Sequence, residues 1–342
     1  MTGALPREDG FTLIELMISV AIVLIILGGA LTTFNNALKV NETATQLGDS
    51  SQNLRAGTDL MVRDLLQAGA GIPTGGIPIP SGAGALALNR PSPPGDAYTF
   101  DASSGVLPTV TPGAGIGPSV DGQVTDMITL LYADSSLALN QTPLTSIASD
   151  GSSMIVDAGT PITNTDNGIQ VGDLIMFSNA LGNALQMVTR VSGGQTVYFD
   201  SGDPMNLNQR SAPQGTIMQL QSGPGVFPPT TATRIEMITF YVDPTTTPGT
   251  PRLVRQLGFG PARALAGVIE DLEISYDLVD GVTNPTDVKT PVAPNTPSEI
   301  RKVDLHIGVR SDDKVSQLGD YLRTHLNTQI SLRNLAFVDR YQ

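Results

Sequence analysis

A single carboxylate, Glu15, stands at the mouth of an uncharged run, and no other side chain in this sequence has such pointed chemistry. From Leu16 to Leu38 there is no Asp, Glu, Lys or Arg, and from Leu16 to Leu31 the only clearly polar side chain is Ser19. A lone carboxylate carried into a bilayer costs about 2.5–3.5 kcal/mol or more, so its position points to charge pairing rather than to acid–base work. Other candidates for chemistry are sparse. The two histidines are His306 and His325. His306 lies in an alternating segment on the face of Asp304, where a solvated or core-edge role is expected. Two histidines without a cysteine make a poor catalytic zinc site. Glu270-Asp271 with Glu273, and Asp312-Asp313, read as solvated acids, since an acid–base pair needs a cleft around it. Asn164-Thr165-Asp166-Asn167-Gly168, with Asp157 and Asp173 nearby, offers hard oxygens to Ca²⁺. Its spacing misses the EF-hand pattern, so an Asx-rich turn is favoured. No serine elbow and no phosphate loop occurs. The expectation is no catalytic residue, no metal site, no cofactor and no enzymatic activity.

The elements around Glu15 are legible. The 23 uncharged residues from Leu16 to Leu38 make about 35 Å of helix, enough for a hydrocarbon core of about 30 Å. A short polar leader containing Arg7, Glu8 and Asp9 precedes them, so the positive-inside cue is weak. An ordinary secretory signal would have a shorter apolar region, uninterrupted at its start. Gly28-Gly29 is a soft point in the span, since each glycine costs about 1 kcal/mol in a helix, and it suits either local unwinding or close packing of helices.

Gly10-Phe11-Thr12-Leu13-Ile14-Glu15-Leu16-Met17-Ile18-Ser19-Val20-Ala21-Ile22-Val23 resembles the class III signal and N-terminal helix of type IV pilins and type II secretion pseudopilins. The resemblance implies cleavage by a prepilin peptidase between Gly10 and Phe11, and N-methylation of Phe11 by the same enzyme. It places Glu15 at the fifth mature position, where the family's glutamate pairs with the N-terminal amine of a neighbouring subunit. Opposite charges in a low-dielectric bundle attract strongly and are costly alone, so such a pair would fix the register of adjacent helices. The segments Met61–Gly69, Leu253–Arg255, Ile269–Tyr276 and Ile330–Leu335 resemble PilW-type minor pilins. The implied role is a minor pilin that assembles into or primes a pilus, anchored in the inner membrane with its head in the periplasm, and finally located in the filament or at its tip. The implied partners are the peptidase, other major and minor pilins through the N-terminal helix, the inner-membrane assembly platform and the lipid bilayer. A minor pseudopilin of type II secretion and a membrane-tethered adhesin are the alternatives.

Composition agrees with a structural role. The net charge is −13, and −12 once a leader carrying one base and two acids is removed. The 19 basic residues are spread along the chain, so direct nucleic-acid binding is not expected. With no cysteine there is no disulfide, and a head of roughly 270 residues must rely on its core.

The expected fold is α+β: a long N-terminal helix packed on a β-rich, antiparallel head. The leader is 1–10 and the transmembrane half of the helix 11–38. The amphipathic half, 39–69, carries Val40, Leu47, Leu54, Met61 and Ala68 every seven residues, interleaved by Ala44, Ser51, Thr58 and Leu65. Glu42, Gln46, Asp49, Gln52, Arg55, Asp59, Arg63 and Asp64 read as its solvated face. Gly69, Gly71 and Pro73 stop it. Residues 70–123 read as Gly/Pro-rich loops laid over the head, with few runs able to form a core. The head is 124–342, with an inserted β subdomain at about 154–220 formed as a meander of 173–177, 185–191 and 196–199. Further strands are expected at 127–132, 234–242, 251–257, 268–276, 302–309 and, in part, 328–337.

Overall fold

The computed structural model describes residues 10–336, apart from residues 137, 138, 140–142, 158, 160, 161, 164–167, 247, 248, 313 and 315–318. The leader before Gly10, the 164–167 stretch, Asp313 and Phe337 therefore lie outside the described residues. The contacts divide the chain into two units. One comprises Met1–Asp49 and Ser311–Leu322, the other Ser50–Arg310 and Arg323–Gln342.

Helix α1 runs without a break from Leu13 to Gln67. In the first unit every residue from Gly10 to Leu38 is exposed, the apolar ones included. Val40 and Leu47 are also exposed, and the first buried helix residue is Leu54. The stripe expected from Val40 onward is thus used from Leu54, through Thr58, Met61, Leu65 and Ala68.

In the second unit, residues 70–124 carry two-residue strands: β1 (Ile77–Pro78), β2 (Asn89–Arg90), β3 (Tyr98–Thr99), β4 (Val106–Leu107), β5 (Val110–Thr111), β6 (Ser119–Val120) and β7 (Gln123–Val124). Then come β8 (Ile128–Ala133), β9 (Ser146–Ile147), β10 (Ser153–Ile155), β11 (Leu174–Asn179), β12 (Gly182–Met187), β13 (Arg190–Ser192) and β14 (Thr196–Tyr198). The last third holds β15 (Thr231–Asp243), β16 (Arg252–Leu257), β17 (Ala262–Gly267), β18 (Ile269–Leu278), β19 (Ile300–Arg310), β20 (Arg323–Ser331) and a single turn, α2 (Arg333–Ala336). All strand pairing among the described residues is antiparallel.

The 13-residue β15 is the spine. On one flank it pairs with β11 and then with β16, and on the other with β8. Alternation sends Ile238, Phe240 and Val242 to one face and Ile235 and Met237 to the other. The first face, the stripe of α1 and the inner face of sheet β18–β19–β20 share one core. Met61 and Leu65 are fully buried there, worth about 1.5–3 kcal/mol each.

The opposite face of the spine is covered by Ile77, Ile79, Leu88, Phe100 and Leu107. The segment expected to be loops with little core is therefore a packed layer. Its apolar residues are isolated between turns and carry no periodicity, which is why the sequence did not reveal them.

The expected meander also divides. β11 and β12 form a hairpin within the spine's sheet, whereas β13 and β14 pair with each other and continue to β10 and β9. Past Met187, whose outward N–H and carbonyl are both bonded by the Asn208 side chain (2.8 Å each), Val188 still bonds Asp173, and from Thr189, whose N–H donates to the Tyr198 carbonyl (2.9 Å), the chain belongs to the second sheet. The strand expected in part at 328–337 begins earlier, at Arg323, and ends at Ser331 before α2.

At Gly57 α1 passes close to its sheet. A Cβ built there would lie 2.6 Å from Cβ of Ala266. Gly57→Ala should therefore destabilise by about 1–2 kcal/mol, the overpacking outweighing the roughly 1 kcal/mol of helix propensity gained. In thermal unfolding of the full chain, Ala266→Gly should cost less in the Gly57→Ala background than in wild type. A Gly57→Ala protein as stable as wild type would remove the close contact from the argument.

Candidate functional site

Thr12 and Glu15 close the N-terminus of α1 reciprocally. The Thr12 backbone N–H and hydroxyl donate to Glu15 Oε2 (3.0 and 2.9 Å), and the Glu15 N–H donates to Thr12 Oγ1 (3.4 Å). This is a capping box: residue types T-x-x-E satisfy two of the orphan donors of the first turn. It places the carboxylate at the positive end of the helix dipole. Phe11 is exposed and adjoins the cap. Further along, Ser19, Thr32 and Thr33 donate back to the carbonyls of Glu15, Gly28 and Gly29 (2.8, 2.9 and 2.9 Å). The hydroxyls of the apolar stretch are thus satisfied internally, as a lipid environment requires. A Cβ at Gly28 or Gly29 would meet nothing within 4 Å, and α1 is long and apolar enough to cross a membrane.

At its other end the helix is fixed by polar contacts. Asp64, expected on the solvated face, is buried and accepts from Arg255 Nε at 2.6 Å. Burial alone would lower Arg255; the hydrogen bond and charge of Asp64 hold it above its ordinary range. Beside the pair, burial, reinforced by the charge of Asp64, pushes the Tyr132 hydroxyl up to about 12. Gly69, at φ +83°, turns the chain out of the helix, and its N–H donates to the Leu131 carbonyl (2.9 Å). The Asn334 amide donates to the carbonyls of Leu66, Gln67 and Ala68 (3.1, 3.3 and 3.2 Å). A side chain 268 positions beyond Leu66 thereby caps the helix. No local signal marks Asn334 for this role.

On the same sheet Arg234 meets three carboxylates: Asp134 directly, Asp173 at 3.6 Å and Glu236 at 4.0 Å. Asp173 also accepts from the Gln170 N–H (2.9 Å), so this member of the proposed Ca²⁺ turn is already engaged. Burial raises Glu236 above its ordinary range, against the pull of Arg234.

The remaining expected candidates lie apart from the N-terminus. His306 is half-exposed on β19, with Nδ1 at 2.5 Å from Asn327 Oδ1 and Nε2 at 3.7 Å from Asp271 Oδ2. Its ring stacks on His325, with centroids 5.2 Å apart at 21°. The sequence reading missed this pairing; it follows from the register that sets His325 opposite Gly308, diagonal to His306. Glu270 is paired with Arg323 (2.8 Å) and Arg310 (3.5 Å). Among the described residues no group of three or more histidines or carboxylates is arranged to hold a metal ion.

Residues 5–31 match the family described as Prokaryotic N-terminal methylation motif. None of the curated proteins matches the chain. Among solved structures the chain is similar to a type IV-like pilin, TTHA1219 from Thermus thermophilus, at 11% identity and a TM-score of 0.18, over 49% of this chain and 87% of that one. The methylation motif at the head of an exposed apolar helix supports a type IV pilin or pseudopilin. That class is structural rather than enzymatic.

The charge network makes a pH prediction. A carboxylate raised in the folded state binds its proton more tightly there than in the unfolded chain. The stability tied to Glu236 is therefore greatest at acid pH and is lost as pH rises from about 4.5 through the raised folded value. Glu236→Gln should stabilise the protein at pH 7, with the gain shrinking towards pH 4. Denaturant unfolding at both pH values checks this, and a gain that grows on acidification would reverse the sign.

Proposed function

We propose that the chain is a minor, PilW-like type IV pilin, processed between Gly10 and Phe11 and drawn into a filament through Glu15. One observation carries the reading: a carboxylate whose hydrogen bonds, among the described residues, come from Thr12 sits at the head of a bare apolar helix, four positions from the amine that cleavage would create at Phe11. In water the capping box satisfies Glu15. In a bundle of apolar helices that carboxylate would be desolvated, and the amine of an adjacent subunit offers the compensating charge. The exposed residues 16–38 supply apolar surface but no sequence-specific register, so the charge pair would set how far each subunit slides. The prepilin peptidase would cut and methylate; the inner-membrane platform would extract the anchored subunit from the bilayer, its head on the periplasmic side. The finished place would be the filament or its tip.

The size of the head supports a subunit of few copies, and the PilW-like segments favour a pilus over type II secretion. Residues 70–123 are packed into the core by Ile77, Ile79 and Leu107, which does not favour free adhesive loops there.

Glu15→Ala should insert into membranes as wild type does, yet fall by about tenfold or more in sheared filaments, as expected for loss of a partly buried charge pair. An unchanged filament fraction would end the assembly role. Separately, intact-mass analysis of filament-derived protein should find a chain beginning at N-methylated Phe11. A chain that still carries Met1, in cells with active peptidase, would defeat the processing claim.

A further inference from the structure

Among the described residues, strand β20 has an unpaired edge. It pairs with β19 from Lys302↔Ser331 to Arg310↔Arg323 with no register shift. The Leu332 N–H donates to the Arg301 carbonyl, which fixes the hydrogen-bonded pairs at even positions of β20. His325, Asn327 and Gln329 therefore direct N–H and C=O away from β19. The sheet order is β18–β19–β20, and no described strand lies beyond β20. Edge strands are usually protected by lysine, proline or a bulge; from Arg323 to Ser331 there is none.

The outer face beside this edge is acidic. Asp271, Glu273 and Asp277 of β18 and Asp304 of β19 share it by alternation. A groove of about 690 Å³ runs over it, lined by Glu273, Asp287, Asp304, His306, Asn327 and Gln329 among others. Lys289 pairs with Glu273 (2.9 Å) and Lys302 with Asp277 (3.3 Å). Among the described residues no lysine or arginine lies within ion-pair distance of Asp304, and burial with the nearby Asp277 raises its carboxyl.

We propose that β20 is a docking edge for an extended segment of another protein, with lysine or arginine at alternate positions. Backbone bonds to His325, Asn327 and Gln329 would supply affinity. Every second side chain of the added strand would fall over the acidic groove, with β19 about 10 Å away across two strand spacings. The inference is independent of which filament system the protein serves.

The test uses the full chain in neutral detergent at low salt, with two fluorescent nine-residue peptides, one alternating Thr and Lys, the other Thr and Glu. Anisotropy should show the lysine peptide binding at least about tenfold more tightly, a difference of about 1.4 kcal/mol. Gln329→Pro removes an outward N–H, which an edge strand tolerates, together with the side-chain amide that donates to Asp277 (3.4 Å), and should weaken binding several-fold. A lysine peptide N-methylated along its bonding edge, which leaves that amide in place, isolates the backbone contribution. Asp304→Asn, which leaves the edge intact, should do the same. If Gln329→Pro lowers the unfolding temperature markedly, a lysine peptide N-methylated along its bonding edge replaces it and should not bind. The proposal is overturned by absence of saturable binding, by equal binding of both peptides, or by indifference to edge blockade in a folded protein. A peptide-independent dimer that Gln329→Pro dissociates would overturn it in favour of a second copy of this chain.

Discussion

Everything in the head depends on one helix face being buried between two antiparallel sheets. Leu54, Met61, Leu65 and Ala68 reach into a core to which the spine strand contributes Ile238, Phe240 and Val242, and the second sheet Leu272, Ile274, Leu305 and Ile307. Either sheet alone would leave a bare apolar face. The helix stripe joins them, and Gly57 against Ala266 lets it come close.

Charge is used in the head as a fastener, and sparingly. A chain with an excess of acids has few cations to spend, and those it buries are multiply engaged. Arg234 serves three carboxylates, and Arg255 ties the spine's sheet to the helix through Asp64. Arg90 is buried with no carboxylate partner among the described residues: its guanidinium donates to Thr129 Oγ1 and to the carbonyls of Pro112 and Thr111 (3.0, 2.6 and 2.9 Å), and burial pushes it down to about 10. These bonds pin the 89–112 segment to strand β8. Packing by scattered apolar residues and the desolvated Arg90 does here what a disulfide would do in a chain with cysteine.

The anchor follows the opposite logic. Ser19, Thr32 and Thr33 bond back to their own helix and its acid closes a capping box. In the assembly proposed above, Glu15 would exchange its Thr12 partner for the ammonium of a neighbouring subunit.

The local signals were strong where the physics is local. The uncharged stretch after Glu15, the Gly69 stop, the hairpin of β15 and β16 and the alternation of β19 could each be read from a window of a dozen residues, because helix period, strand period and turn chemistry act over that range. The capping box was equally open to view in Thr12 and Glu15. Other features required the fold. Asp64 looked like a solvated acid until Arg255 was brought to it from 191 positions away. Ile77 and Phe100 looked like residues in loops until the far face of the spine needed covering. His306 and His325 met only through strand register, and Asn334 found its helix end only through the C-terminal turn. Sequence by itself determined the rod, its acid and most of the longer strands; tertiary structure alone decided which faces were shared and which charges met, because burial and ion pairing depend on distances in space that separation along the chain does not encode.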